Sequence, residues 1–393
     1  MPPSPPLPIR DDPRSSAAKV PRAAYIHVPF CARRCGYCNF TLVANRQDLV
    51  EPYLTAVERE LAALGEPREV NTIFFGGGTP TQLDLPRLAR LLSLVSRWHP
   101  PAAGHEFTVE ANPADLTRDM VWLLAANGVT RISLGAQSFQ ADKLTLLERD
   151  HLPDDIRRSA ALVHDAGLQL ACDLIFGVPG ETLEGWGADL DEALALGPDH
   201  VSTYGLTFER GTTFWNRLSH GQLARLDEEL ERSLFARAID RLSAAGFEHY
   251  EVSNFARPGR RCRHNEAYWA GEPYFAVGPG ATRYVGGVRE TNHRSTLAYL
   301  KRVLAGESPV AEREQLADED RARELLVFGL RRMAGVERAW FAERTGRTID
   351  GLVGAALARH VAVGLLEDDG GRVRLTREGL FVSDAIWPEY LRA

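Results

Sequence analysis

From residue 23 onward, short apolar runs alternate with stretches whose apolar positions recur at helical spacing. The runs at 24–28, 71–75, 106–110, 131–134, 168–176 and 200–204 read as strands. Between them the period predicts helices over 48–64, 86–98, 116–127, 154–166 and 183–196. Thr117 stands at an N-cap position, and Gly65, Gly128 and Gly167 follow three of the helix ends. Alternation of this length means parallel β/α units joined by right-handed crossovers. Six such units, where a closed barrel needs eight, predict an incomplete TIM-like (β/α)6 barrel, open on one side for a large substrate.

Past residue 205 the pattern changes. A helix over 226–245 precedes a short strand at 249–252, and 253–292 is rich in Gly, Pro and aromatic residues and reads as loop. A helix at 297–304 leads to a linker at 306–309. Helices at 318–333, 337–345 and 350–362, then a hairpin around 367–375, predict a small α/β module resembling a winged helix. It lacks a basic recognition helix, so packing or covering a substrate suits it better than DNA. The expected division is a disordered Pro-rich tail at 1–22, a partial barrel at 23–253, a connecting region at 254–310 and a C-terminal domain at 311–393.

Composition narrows the function classes. The chain has 393 residues, 44% of them hydrophobic, and a formal charge of −7. That balance argues against a general nucleic-acid or anionic-membrane binder. No apolar run is long enough for a membrane span, and the Pro-rich start with Asp11 and Asp12 resembles neither a secretory signal nor a transit peptide. A reducing cytoplasm is the expected compartment, since three of the five cysteines crowd into one loop and a disulfide framework does not fit.

Those three follow the first strand as Cys31-x-x-x-Cys35-x-x-Cys38. Soft thiolates this close suit iron–sulfur ligation, whereas structural zinc lacks a fourth ligand at short spacing, Phe40 standing where one belongs. Three ligands on a four-iron cluster leave one iron open to a substrate or cofactor. Other notable residues also collect at strand C-termini, where β/α folds place their sites. Gly76-Gly77-Gly78-Thr79-Pro80 follows the second strand and reads equally as a tight turn or as close approach to a ligand. Glu110 ends the third strand and reads as a ligand group or a solvated strand end. Gln137 and Asp173 interrupt apolar stretches, where an unpaired polar group costs a few kcal/mol, about 1–3. Arg149 reads as an anion partner or a surface residue. In Cys262-Arg263-His264-Asn265-Glu266-Ala267-Tyr268-Trp269, His264 offers an imidazole and two aromatic faces follow it; packing in a loop is the plainer reading, and Cys262 reads as structural.

The cysteine spacing, with Tyr37 before the third Cys, resembles the signature of radical S-adenosylmethionine (SAM) enzymes. The resemblance implies that Cys31, Cys35 and Cys38 hold a four-iron four-sulfur cluster whose open iron SAM chelates. It assigns SAM contacts to Tyr25, Tyr37, Gly77, Gly78, Thr79, Glu110, Gln137, Arg149 and Asp173, positions that resemble those of the oxygen-independent coproporphyrinogen oxidase-like branch. True coproporphyrinogen dehydrogenases of that branch carry a further Cys two residues after the third; Phe40 stands there instead, which resembles the heme chaperone (HemW-like) group. The stretch from His264 to Trp269 resembles that group's His-Asn-x-x-Tyr-Trp motif, which implies His264 as heme ligand. One departure is Thr282, where the group usually has a His.

The resemblance covers 23–391 and implies a protein that binds heme and passes it to a recipient hemoprotein, respiratory ones among the candidates. SAM, the cluster and an electron donor would regulate or drive the handover. Peripheral membrane association and a homodimer are left open, and no nucleic acid is expected. The alternative keeps the cofactors but makes a 5′-deoxyadenosyl radical that oxidatively decarboxylates coproporphyrinogen.

Overall fold

A computed structural model describes residues 20–391. The Pro-rich tail expected at 1–22 falls almost wholly outside them. Six strands run in parallel register: β1 (Ala23–Val28), β2 (Val70–Gly77), β3 (Pro101–Ala111), β4 (Arg131–Gln137), β5 (Gln169–Phe176) and β6 (His200–Gly205). Two short strands, β7 (Glu248–Glu251) and β8 (Asn254–Ala256), continue the sheet antiparallel beyond β6, and β9 (Phe275–Val277) pairs parallel with β1. The order is β9-β1-β2-β3-β4-β5-β6-β8-β7, and its two ends do not pair among the described residues. The barrel is therefore incomplete, as expected, though it carries one more parallel strand than the six predicted.

Strand alternation sets the two faces. Ala24, Ile26 and Val28 of β1 and Ile73 and Phe75 of β2 are fully buried against the helical layer, while Tyr25 stacks on Phe74 on the inner face. Helix starts follow their caps: Asp84 accepts from the Arg87 amide, Thr117 from Met120, and Thr182 from Gly185.

The stretch read as loop at 253–292 holds more structure than expected. Besides β8 and β9 it contains helix α9 (Arg263–Trp269) and two strands, Thr282–Val285 and Val288–Asn292. The second pairs with Val310–Glu314, just beyond the supposed linker. Buried Glu60, on the helix Val50–Ala62, anchors this region: it accepts from Tyr299 Oη at 2.6 Å, Asn292 Nδ2 at 2.6 Å and the Gly278 amide at 3.0 Å.

Helices Asp318–Leu330, Arg338–Thr345 and Ile349–Ala362, with strands Val336–Glu337, Leu366–Asp368 and Arg372–Leu375, form the winged-helix-like unit around a second core that includes Leu326, Leu330, Phe341 and Tyr390. Two closing helices, Arg377–Phe381 and Ser383–Tyr390, were not foreseen.

Candidate functional site

At the C-terminal ends of β1–β6 lies a cavity of about 340 Å³. Cys31, Cys35 and Cys38 line it together with Tyr37, Gly77, Gly78, Thr79, Glu110, Gln137, Arg149 and Asp173. Of the residues assigned to cluster and SAM, only Tyr25 is outside its wall; it points along the inner face, its hydroxyl 3.1 Å from His27 Nδ1.

The cysteine loop is held by its own backbone and by packing. The Cys38 amide donates to the Cys35 carbonyl at 3.1 Å, and the Arg34 guanidinium donates to the carbonyls of Cys38 and Leu42. Gly36 lies against the Phe214 ring, where a Cβ would overlap the ring carbons, and its carbonyl accepts from the Phe214 amide at 2.8 Å. Burial pushes the Cys31 thiol up to about 11, Thr79 Oγ1 at 3.4 Å opposing, and raises Cys38 in the same direction. Neighbouring thiolates raise each other further. Such a trio ionises together only against a cation, which is the chemistry a cluster supplies. The thiols line one wall without forming a tight metal-ligand group among the described residues, so iron would draw them together.

The glycine run owes its composition to the protein's own close contacts. Gly77 has φ +103°, and a Cβ there would overlap the His27 ring. A Cβ on Gly78 would lie 2.7 Å from the Val28 carbonyl oxygen. The Gly78 and Thr79 amides donate to the carbonyls of Val28 and Phe30, stitching the run to the cysteine loop.

Glu110 is not a solvated strand end. Its Oε2 accepts from the Gly77 amide at 3.0 Å, and burial, aided by nearby Asp173, pushes its carboxyl up to about 8. Asp173 is likewise raised by burial, against hydrogen bonds from Ser202 and Ser133, the latter at 3.0 Å. Gln137 sits at φ +65°, strained backbone for a side chain at a strand end. Nor is Arg149 a surface residue. It donates to Asn112 Oδ1 at 2.8 Å and the Gly135 carbonyl at 3.0 Å, and its Nη1 is 3.6 Å from Cys35 Sγ. Burial works against its charge, but Tyr37 and Cys35 beside it raise its pKa on balance. The wall thus offers the fixed Arg149 cation beside the thiols and, among its acidic side chains, the carboxyl groups of Glu110 and Asp173, a fit for a ligand carrying a carboxylate at one end and hydroxyls at the other.

Sequence reasoning missed Asn112, Ser133 and Tyr204, which line the same cavity. Asn112-Pro113 directly after an apolar strand was the one signal available for them.

His264 lies elsewhere. It is 1% exposed, at the N-terminal end of β2, with Nδ1 2.9 Å from Thr72 Oγ1 and Nε2 2.8 Å from Tyr268 Oη. Its ring stacks on Phe74 at 5.3 Å, and burial lowers its pKa to about 3. The imidazole that the resemblance offers to heme iron therefore has both of its nitrogens on protein hydroxyls. Buried Glu106 caps α9 by accepting from the Arg263 and His264 amides at 3.0 and 3.1 Å, and pairs with buried Arg131 at 3.1 Å. The helix so held closes the barrel's far end. Thr282, in place of the expected His, pairs instead with Thr291 Oγ1 at 2.9 Å.

Comparison with known proteins gives this geometry its family. The model described as radical SAM superfamily matches residues 25–193, and the one described as HemN C-terminal domain matches 316–382. The chain is 35% identical to "Heme chaperone HemW" of Bacillus subtilis (strain 168), covering 94% of this chain and 99% of that one. It is 37% identical to "Heme chaperone HemW" of Mycobacterium tuberculosis (strain ATCC 25618 / H37Rv), over 93% and 94%. It is 32% identical to the mitochondrial radical S-adenosyl methionine domain-containing protein 1 of Danio rerio, over 95% and 87%. Among solved structures, the coproporphyrinogen III oxidase HemN from Escherichia coli superposes with a TM-score of 0.85 over 96% of this chain and 92% of that one. At 22% identity that likeness speaks for the fold. The chain belongs to the HemN-like branch of the radical SAM superfamily, in the group of the HemW heme chaperones.

Proposed function

We propose that the protein is a heme chaperone that binds heme and hands it to a hemoprotein. What carries this reading is likeness to proteins named heme chaperones along nearly the whole length of both chains. Phe40 supports it: the side chain is 60% exposed at the cavity rim, an apolar surface where the enzymes of the branch carry a fourth cysteine.

In this reading Cys31, Cys35 and Cys38 hold a four-iron cluster, and Arg149 takes the SAM carboxylate. Asp173 and Glu110 accept from the ribose hydroxyls, while Tyr37, Gly77, Gly78, Thr79 and Gln137 shape the rest of the wall. Cluster and SAM together supply one-electron chemistry. The chain's part is to position: Arg149 is already fixed by Asn112 and Gly135, so little order is lost when an anion docks. An electron donor and a recipient hemoprotein are the partners this implies, and a cytoplasmic setting suits the free thiols. No helix among the described residues is long and apolar enough to cross a membrane.

The deciding experiment is anaerobic reconstitution of the cluster, followed by coproporphyrinogen and SAM in one arm and heme in the other. A Soret shift on heme addition without protoporphyrinogen formation is the expected result. Protoporphyrinogen without heme binding would make the chain a dehydrogenase.

A further inference from the structure

The loop that carries the three cysteines is basic within an acidic chain. From Pro29 to Gln47 it holds Arg33, Arg34 and Arg46 and no Asp or Glu, against a net charge of −7 for the whole protein. Arg46 is answered by Asp48 at 2.7 Å. Arg34 spends its guanidinium on the backbone carbonyls of Cys38, Phe40 and Leu42. From a distant segment Arg294 joins them, donating to the Asn39 carbonyl at 3.0 Å just before the helix Thr296–Leu304. Among the described residues Arg33, Arg34 and Arg294 pair with no carboxylate, and all three are exposed. Phe40 stands in their midst: its own carbonyl takes Arg34, its neighbour's takes Arg294, and its ring is 60% exposed. A lone exposed ring or a lone surface arginine is ordinary. An exposed aromatic flanked by three uncompensated guanidiniums has the composition of a protein contact, with an apolar centre and a cationic rim.

Resting on the cluster reading above, we propose that this face docks a small acidic electron carrier, which passes electrons singly to the cluster. Phe40 is the apolar anchor, and Arg33, Arg34 and Arg294 steer the partner's carboxylates. The place of the patch singles out this occupant. Arg33, Asn39 and Phe40 line the same cavity as Cys31, Cys35 and Cys38, and Arg34 grips the carbonyl of Cys38 itself. A partner seated there lies directly against the loop that holds the cluster, which is where a carrier must sit to exchange electrons. In each encounter the carrier loses one electron and the cluster gains it; no bond is made or broken. The opposite charge of the rest of the chain sharpens the choice, since an acidic partner is repelled elsewhere and drawn to this face.

The test uses the iron-loaded full chain under anaerobic conditions, with two acidic carriers as probes, a [2Fe–2S] ferredoxin and a flavodoxin. Calorimetry should show that wild type binds at least one of them, and that raising salt from about 0.05 to 0.3 M weakens the complex. The double variant Arg33→Glu/Arg294→Glu should weaken binding at least about tenfold and flatten the salt dependence. Phe40→Ser should weaken binding while keeping that dependence. Reduction of the cluster by the carrier should slow in parallel, whereas iron content, melting temperature and reduction by dithionite stay as in wild type. Arg34 is left in place because it also holds the loop. Failure of iron-loaded wild type to bind either carrier, or equal binding by wild type and the double variant, would overturn the proposal. So would a double variant that reacts slowly with dithionite as well, since the arginines would then be tuning the cluster. A double variant that loses heme affinity but keeps carrier binding would give the patch to heme carboxylates instead. Wild type that holds no iron after reconstitution would take down the cluster reading, and the docking role with it.

Discussion

Asp173 and Glu110 line one cavity, both are half-buried, and among the described residues neither forms an ion pair. A ligand that brings hydroxyls to Asp173 adds donors to a desolvated carboxyl that Ser133 and Ser202 serve in the free protein. Asp173→Ala is therefore expected to weaken SAM binding to the iron-reconstituted protein by about 1.5–3 kcal/mol, the usual worth of a hydrogen bond to a charged group. Unchanged affinity by calorimetry would remove Asp173 from the SAM site. Glu110 makes a separate prediction for the SAM-free protein. Its folded pKa of about 8 lies above the ordinary 4.5, so the folded state binds the proton more tightly than the unfolded one. The stability this gives is fully present below pH 4.5 and is lost as pH rises through 8, at about 1.4 kcal/mol per pKa unit. Chemical denaturation should show that slope in wild type and not in Glu110→Gln. Asp173 was legible in the sequence because a lone carboxylate interrupting an apolar strand demands a partner. Arg149 was legible only in part: standing between Glu148 and Asp150, it read equally as an anion partner or a surface residue, and only the fold turns it inward.

Elements with a strong period were readable, and several of the shortest between 253 and 292 were not. The parallel strands and their covering helices announce themselves by length and by caps such as Thr117. Strand β9 has three residues, too few for alternation to register, and its place beside β1 depends on Glu60 holding Gly278 from a distant helix. Helix α9 has seven residues, and its N-terminus is capped across space by Glu106, so local sequence carries no capping signal. That cap yields an element-scale prediction. Glu106→Ala leaves Arg131 buried without its carboxylate and two α9 amides without an acceptor. The cost should be about 3–5 kcal/mol, as for breaking one partner of a buried ion pair. Urea denaturation of the variant measures it, and a loss under 1 kcal/mol would mean that water reaches Arg131.

At the scale of the whole molecule, the cysteine cavity and helix α9 occupy opposite ends of the same strands. Thr72, which holds His264, and Gly77, which lines the cysteine cavity, are five residues apart on β2. At the rise of a strand that is roughly 16 Å. A second, aromatic cavity is lined by Tyr268 and Trp269 of α9. Neither cavity lends a lining residue to the other, so ligands in the two would not compete for the same side chains. A Cys31→Ala/Cys35→Ala/Cys38→Ala variant should therefore lose its iron and the broad visible absorption of the cluster. It should still bind ferric heme with an affinity within about threefold of wild type, which is under 1 kcal/mol. Iron analysis and a Soret titration on the same preparation read both quantities. Retained iron would dismiss the cysteines as cluster ligands. Heme affinity lost along with the iron would place the heme at the cluster mouth, beside Phe40.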